Sequence, residues 1–396
     1  MKKHRPLVVL VLLGLAVLSA ARPETGKAET QPSLLRAYLR QGIDKAFNME
    51  IRSALGFFQS AVDLDRENPL GYSFLALARL FSYEMEYDPQ ERTKQQEEML
   101  QNIGEALARG LKRIGKNARD GEAHFALALA KIVKVRWAIT QRRYVVIAQE
   151  TSGVWDHLEK AKAEAPQNHD VYFLIGLVHY HLDRLPTVTR FFSSLVVTAA
   201  DRQRGLQELA LAAQKGDLLR ELALAELASL YTFVEEQPTQ ALPIALELRK
   251  RYPRNYNFLF MLANTLSELK RFSEAFAVAG EIEAGIRAGQ PPFFPQLQPR
   301  LDNLLGRILF NQGEYVRAAE FFQQVLTAET SAYNARTRTS SLVRLGMIHD
   351  IRRERKQAEE YYTRALAVEG GEGTAKADAR RYLKTPYVPK PKGSSP

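Results

Sequence analysis

Hydrophobic residues recur three or four positions apart through most of the chain, with polar residues between them. The clearest stretch consists of Leu301, Leu304, Leu305, Ile308 and Leu309. This spacing places the apolar side chains on one stripe of an α-helix. Gly313 interrupts the pattern, and a second stripe with Ala318, Phe322 and Val325 follows it. The pattern predicts two antiparallel helices, and neither could bury its stripe without stacking on a neighbouring pair.

The same arrangement is repeated along the chain. A small residue is followed twelve positions later by alanine in Gly42/Ala54, Ser229/Ala241, Ala263/Ala275, Gly306/Ala318 and Gly346/Ala358. The residues four and seven positions after each alanine are again aromatic or aliphatic. A fixed internal spacing of this kind is typical of stacked helix-turn-helix units. We expect each small pair to mark the place where the two helices of a unit cross closely.

These residues resemble the pattern of the tetratricopeptide repeat (TPR) family, whose helix-turn-helix units are about 34 residues long. The matching residues are Leu345, Gly346, Ala358, Tyr362 and Ala365, then Leu305, Gly306, Ala318 and Phe322, then Ala241 and Pro253. Ile175 and Gly176 with Phe192 look like another copy, with Val188 in place of the alanine. The resemblance covers roughly residues 35–368. It implies an all-α fold, an α-α superhelix in which antiparallel helix pairs form a TPR-like solenoid.

The repeats and the segments between them predict the domain organisation. Residues 34–284 form the TPR-like array, with irregular units near 70–115, 121–165 and 170–198. Residues 285–299 contain four prolines and are expected to be a Pro-rich connector and hinge. Residues 300–369 form a C-terminal TPR pair, and residues 370–396 a capping helix from Ala375 to Lys384 with a disordered proline and lysine tail.

The start of the chain has the three parts of a secretory signal peptide. Basic residues precede an apolar run from Leu7 to Leu18, and small residues at Ser19 and Ala21 suit cleavage after Ala21. We therefore predict a signal peptide over 1–21 and a polar linker over 22–33, and an exported protein of the periplasm or cell envelope. An uncleaved membrane anchor is the alternative, because Ala16, Ala20 and Ala21 lengthen the apolar run.

Composition narrows the chemistry that the chain can perform. The 396 residues include no cysteine, which excludes thiolate zinc sites, iron-sulfur clusters, cysteine nucleophiles and a bacterial lipid anchor on cysteine. The formal charge of +10 falls to +7 when Lys2, Lys3 and Arg5 leave with the signal peptide. Part of the positive charge therefore serves targeting.

The histidines do not have the spacing of a metal or catalytic site. His169, His179 and His181 are the densest group, but residues two apart on a helix do not share a face. His179 and His349 each follow a repeat glycine by three positions, where the family places a packing aromatic residue. We interpret both as packing residues and expect no metal, no cofactor and no catalytic residue. An enzyme with a site in the irregular segment 70–215 is the least favoured alternative.

Basic residues cluster at three places on the predicted helices. The clusters are Arg109, Lys112, Arg113, Lys116 and Arg119, then Arg142 and Arg143, then Arg352, Arg353, Arg355 and Lys356. Acidic residues lie among them, and nucleic acid is not an expected partner of an exported protein. Solvated helix faces are one interpretation, and contact with an anionic membrane or a cell-wall polymer is the other.

The resemblance also implies a ligand groove on the first helix of each pair. The family's ligand-facing positions correspond to Phe173, Leu177, Tyr180, His181, Glu226, Leu230, Phe233, Phe260, Asn264, Arg307, Phe310, Asn311, Val343, Met347 and Asp350. Core between neighbouring repeats is the alternative location for each of them. Phe260 stands beside Asn264 where the family's clamp for acidic C-termini has lysine, so we do not expect that ligand. We expect a non-enzymatic scaffold that binds a protein or peptide. An envelope assembly factor that contacts lipid or polymer is the second hypothesis.

Overall fold

A computed structural model describes residues 31–181, 201–329, 331, 333–371 and 373–389. This part of the chain contains seventeen α-helices and no β-strand. The helices are α1 (Gln31–Phe47), α2 (Ile51–Leu64), α3 (Pro69–Met85), α4 (Pro89–Lys116), α5 (Gly121–Thr140), α6 (Tyr144–Glu164), α7 (Val171–His181), α8 (Arg202–Lys215), α9 (Arg220–Phe233), α10 (Pro238–Arg251), α11 (Tyr256–Glu268), α12 (Phe272–Ala288), α13 (Gln298–Gln312), α14 (Tyr315–Thr327), α15 (Ala335–Ile351), α16 (Arg355–Ala367) and α17 (Thr374–Lys384).

Consecutive helices pack as eight pairs, from α1 and α2 in pair 1 to α15 and α16 in pair 8. Each first helix also contacts the neighbouring pair, and α17 packs on both helices of pair 8. The predicted all-α, TPR-like solenoid is confirmed. In the irregular middle, pairs 2 and 3 have longer helices, of which α4 is the longest at 28 residues.

The repeated residues form the core of the pairs. The five alanines of the spacing, Ala54, Ala241, Ala275, Ala318 and Ala358, are all fully buried. The residues four positions later are also buried, and three of these, Phe58, Phe322 and Tyr362, are aromatic. The repeat therefore records which side chains must be small and which must be large where two helices meet.

The turn inside six of the eight pairs uses one left-handed residue. Its φ angle is positive at Met49, Arg142, Glu236, Lys270, Gly313 and Arg353. In five of these six turns the residue lies seven positions after the small residue of the spacing. Only one of the six is glycine, although glycine adopts this conformation at the lowest cost.

Pair 4 is closed by two glycines. The backbones of α7 and α8 cross so closely that a Cβ on Gly176 would lie 2.9 Å from the carbonyl oxygen of Gly205. A Cβ on Gly205 would lie 2.7 Å from the backbone nitrogen of Tyr180. The described partner of α7 is therefore α8. Val188 and Phe192, which the repeat pattern assigned to this unit, lie outside the described residues.

The connector predicted over residues 285–299 is partly helical, so the irregular chain before pair 7 is shorter than the prolines suggested. Helix α12 continues to Ala288, where Gly289 ends it with a φ of 62°. A 3-10 turn at Pro295–Leu297 leads directly into α13. Residues 285–288 contain no proline, so nothing interrupts the helix there, and Pro299 is compatible with the first turn of a helix.

The array turns tightly enough for pair 1 to contact pairs 5 and 6. The ring of Phe47 lies 5.3 Å from that of Tyr252 and 5.9 Å from that of Phe258. The side-chain amide of Asn255 donates to the carbonyl oxygen of Phe47 at 2.8 Å. Arg40 forms two hydrogen bonds with Asp217, at 2.6 and 2.8 Å, just before α9.

The described residues begin at Gln31, at the start of α1, and end at Pro389, shortly after α17. Helix α1 begins at Gln31, so the last part of the predicted linker is helical, and the predicted signal peptide lies outside the described residues. Helix α17 agrees with the predicted cap. Residues 385–389 of the expected disordered tail return to contact α13 and α15. None of the helices in the described residues is both long and apolar enough to cross a membrane.

Candidate peptide-binding groove

Seven of the fifteen predicted groove residues are core residues. Phe173, Tyr180, Leu230, Phe260, Phe310, Val343 and Met347 are between 1% and 8% exposed. They occupy the interface between neighbouring pairs, where the tight turn of the array brings first helices together. These seven side chains therefore lie in the core between neighbouring repeats, which was the alternative location that the sequence left open for them.

The remaining predicted residues lie along the open face of the first helices. Leu177, His181, Glu226, Phe233, Asn264, Arg307 and Asn311 are partly or fully exposed on α7, α9, α11 and α13. Phe233 is the most apolar of them and is 38% exposed. The carboxylate of Asp350, on α15, is covered and is 1% exposed. The structure therefore leaves a groove across pairs 4–7.

Hydrogen bonds between α11 and α13 establish their register. Arg300 donates to the side-chain oxygen of Asn257 at 2.6 Å, and Asn311 donates to Glu268 at 3.1 Å. The partners are 43 residues apart in both bonds. The same separation places Asn264 opposite Arg307. The register therefore makes these two polar residues neighbours on adjacent first helices.

Arg307 is held between an aromatic ring and an acid. Its guanidinium lies 5.0 Å from the ring centroid of Phe233, and its Nη2 donates to Glu268 at 3.2 Å. Burial, reinforced by the nearby charge of Arg344, lowers the pKa of Arg307 to about 10. Its Nε is buried and has no hydrogen-bond partner among the described residues. This atom is a donor that the protein leaves unsatisfied.

Asn264 supplies the complementary atom. Its side-chain nitrogen donates to the carbonyl oxygen of Phe260 at 2.7 Å, which orients the amide group. Its Oδ1 is buried and has no hydrogen-bond partner in the described part of the chain. Buried polar groups without partners are rare and costly in proteins. We call this buried acceptor of Asn264 and the buried donor of Arg307 the Asn264–Arg307 pair.

The groove continues toward pair 4 as a paired set of charges. His181 bonds Glu226 at 2.9 Å, and Arg136 bonds Glu84 at 2.7 and 3.0 Å. Burial alone would raise the pKa of Glu226, but the hydrogen bond and charge of His181 and the charge of Arg136 lower it. Glu226 therefore stays ionised, and the N-terminal end of the groove has little net charge.

Three residues of this face were missed by the sequence reasoning. Arg136, Glu268 and Arg344 all lie on first helices and interact with residues of the groove. Arg307 and Arg344 occupy first helices of consecutive pairs, and each guanidinium lies over an aromatic ring, with Arg344 4.8 Å from the centroid of Phe310. An arginine recurring on the first helices was the signal available in the sequence.

The histidines act in packing. His179 is fully buried and hydrogen-bonds Glu208 of α8. His349 stacks on Tyr361 at 5.1 Å and bonds Glu354 at 2.6 Å. The interpretation of both as packing residues agrees with these contacts. The described residues contain no group of three or more His, Asp or Glu side chains arranged to hold a metal ion.

The first basic cluster is largely ion-paired within the protein, and Arg355 of the third cluster is also paired. Arg109 pairs with Glu105, Lys112 with Glu67, Arg113 with Asp120 and Glu122, Arg119 with Glu164, and Arg355 with Asp350 and Glu359. Arg143 lies over the ring of Trp137. These acids cancel much of the local positive field that would attract an anionic surface.

A polar cleft lies where α1, α3, α4 and α5 meet. Asp65, Glu67, Asn68, Arg113 and Glu122 are among the residues that line it. Its groups bond each other, since Asn68 donates to Glu122 at 3.1 Å and Arg113 donates to Glu122 at 3.3 Å. The cleft therefore contains a satisfied network, and no pairing of nucleophile and base occurs in it.

Comparisons with known proteins find only distant similarity. No family model matches the sequence, and no curated protein matches it significantly. The chain is similar to the solved human IFIT1 dimer with m7Gppp-AAAA at 14% identity, covering 90% of this chain and 87% of that one, with a TM-score of 0.44. The P58(IPK) TPR domain is 15% identical over 88% and 98% of the two chains (TM-score 0.23), and yeast Tom70 is 9% identical over 90% and 96% (TM-score 0.27). At these values the argument for function rests on the groove itself.

Proposed function

We propose that the protein is a non-catalytic scaffold that binds an extended segment of a protein partner along its concave groove. The observation that carries this proposal is the Asn264–Arg307 pair, a buried acceptor and a buried donor that have no hydrogen-bond partner among the described residues. Both atoms are covered in this structure, and when the two side chains turn toward the groove a peptide group, which carries one N–H and one C=O, can satisfy both. Phe233 beside the pair provides an apolar surface for a neighbouring side chain.

The groove favours a peptide over a small molecule or a charged polymer. Its polar atoms lie along successive helices of an open face, and its charges are mostly paired internally. An extended chain reaches several such positions at once, whereas a compact ligand would reach one. We expect weak binding, because the centre of the groove supplies only one or two backbone hydrogen bonds and one aromatic contact.

A peptide library tests the proposal. Peptides selected on the wild-type protein are measured against Asn264→Ala, Phe233→Ala and the control Leu246→Ala, whose side chain is 49% exposed on the second helix of pair 5. We expect binding to weaken about tenfold in the first two variants and to be unchanged in the control. Single-stranded RNA is included as a competitor and should displace nothing. Selected peptides that bind all three variants equally would exclude this groove.

We also propose that the protein acts in the cell envelope, because residues 1–21 have the build of a signal peptide. The expected mature N-terminus is Arg22, which N-terminal sequencing of the protein from the envelope fraction would detect. A chain that begins at Met1 and sediments with membranes would instead support the uncleaved anchor. A protein confined to the cytosol would contradict both.

A further inference from the structure

The segment after the last helix folds back onto the C-terminal end of the array. Arg355 donates to the carbonyl oxygen of Leu383 at 2.8 Å, where α17 ends. The chain then turns, and the backbone N–H of Tyr387 donates to Asp350 at 2.8 Å. Pro386 and Pro389 flank this contact and restrict the segment to extended conformations. We call residues 385–389 the tail segment.

Tyr387 is the anchor of the tail segment. Its ring centroid lies 5.2 Å from that of Tyr382 and 6.1 Å from that of Phe310. Burial raises the pKa of Tyr387 to about 12, and the nearby charge of Arg344 partly opposes this rise. The next side chain, Val388, is 76% exposed. Neighbouring side chains of the segment therefore point in different directions, as in an extended peptide on a surface.

The site beneath Tyr387 is built from the groove-bearing helices. Phe310 belongs to α13, and Arg344 and Asp350 belong to α15. Asp350 is held in place by the hydroxyl of Tyr362 at 2.8 Å and by Arg355 at 3.0 Å. Its carboxylate is therefore fixed before the tail segment arrives and needs little reorganisation to accept an N–H.

We infer that this site is a binding site for an extended proline-tyrosine segment and that the chain's own tail segment is its intramolecular ligand. The ring of Tyr387 packs between Phe310 and Tyr382, and its backbone N–H donates to the carboxylate of Asp350. The inference concerns the C-terminal end of the array and does not depend on what the Asn264–Arg307 pair binds. A tethered ligand has an effective concentration in the millimolar range, so it excludes weaker competitors from the site.

The experiment uses full-length protein and a labelled peptide of residues 384–392. Fluorescence anisotropy measures its binding to wild type, to Tyr387→Ala, which detaches the tail segment, and to Val388→Ala as the matched control. We expect Tyr387→Ala to bind the peptide at least about tenfold more tightly than wild type or Val388→Ala. A peptide with alanine in place of the tyrosine should not bind any of the three proteins.

Two outcomes would overturn the inference. One is the absence of peptide binding to Tyr387→Ala up to millimolar concentration while its circular dichroism matches that of wild type. The other is equal binding of the tyrosine and alanine peptides. Amide hydrogen exchange provides a second measurement without added peptide, because the Tyr387 N–H should be protected in wild type and exchange at the rate of an unstructured chain if the tail segment is free.

Discussion

The ring of Phe322 lies directly on Gly306, so that a Cβ at position 306 would be 2.7 Å from the ring. The same relationship joins Gly42 to Phe58 and Gly346 to Tyr362. The repeat spacing predicted a close crossing between the glycine and the alanine twelve positions later. The structure assigns the space above the glycine to the aromatic residue four positions beyond that alanine. The glycine is required by a side chain, because any Cβ would overlap the ring.

Gly306→Ala is therefore expected to lower the free energy of unfolding by about 1–3 kcal/mol, since the ring of Phe322 must move. Gly280→Ala is the matched control, because a Cβ there meets nothing within 4 Å in the middle of α12. It should raise stability by about 0.5–1 kcal/mol through helix propensity. Urea denaturation measures both, and equal effects of the two substitutions would refute the packing argument.

The left-handed turn residues provide a second matched pair. Gly313→Ala should destabilise the protein by about 1 kcal/mol, because φ is 93° and no atom lies nearby to be displaced. Lys270→Gly, at the equivalent position with φ of 60°, should stabilise it by a similar amount. Thermal melts of the two variants should shift in opposite directions. Shifts of the same sign would mean that the backbone conformation is not the dominant cost.

Asp170 joins pair 4 to pair 5 through three backbone N–H groups. Its carboxylate accepts from the N–H groups of Asp217, Leu218 and Leu219 at 2.8–3.0 Å and is almost completely buried. Asp170→Ala leaves these donors unsatisfied and should cost about 2–4 kcal/mol in urea denaturation. Asp170→Asn retains an acceptor oxygen and should cost less. A loss under 0.5 kcal/mol in the alanine variant would show that water replaces the carboxylate.

The contact of pair 1 with pairs 5 and 6 should respond to Phe47→Ala. The substitution removes the ring contacts with Tyr252 and Phe258 and should cost about 1–3 kcal/mol. Hydrogen exchange should accelerate in α1 and α2 and remain unchanged in pairs 7 and 8. Val316→Ala, at a side chain 64% exposed, is the control. Uniform acceleration along the chain would instead indicate that the array unfolds as one unit.

Stability should fall in mild acid because of a histidine pair in which His124 is buried and His157 is partly buried. His157 and His124 face each other with their Nδ1 atoms 2.9 Å apart. Burial and the charges of His124, Lys131 and Lys160 lower the pKa of His157 to about 4, although Asp156 acts in the opposite direction. Between pH 6.5 and 4 the unfolded chain binds a proton that the folded protein does not. Stability therefore decreases as pH falls through this window, by about 2–3 kcal/mol.

His157→Gln removes this titration and should flatten the dependence of unfolding free energy on pH between 6.5 and 4. His169→Gln, at a surface histidine that bonds the Gln167 carbonyl, should leave the slope unchanged. Urea denaturation at several pH values provides the measurement. An unchanged slope in His157→Gln would place the acid sensitivity elsewhere in the protein.

The sequence by itself determined the helix pairs, their cap and most of their core. These features depend on contacts within about 34 residues, and local contacts leave a period in the sequence. Ala318 and Phe322 could be identified as core because their spacing on one helix matches that of the other units. The left-handed turns could not be predicted from residue type, since Met49, Lys270 and Arg353 are not residues that favour a positive φ angle.

Only the tertiary structure decided which side chains remain accessible. The rotation between neighbouring pairs buries Tyr180 and Phe260 but leaves Phe233 open, although all three were assigned to the groove on the same grounds. The contact between Phe47 and Tyr252 and the return of Tyr387 to Asp350 join residues far apart in the chain. Small rotations between pairs accumulate along a solenoid, and no local pattern records their sum.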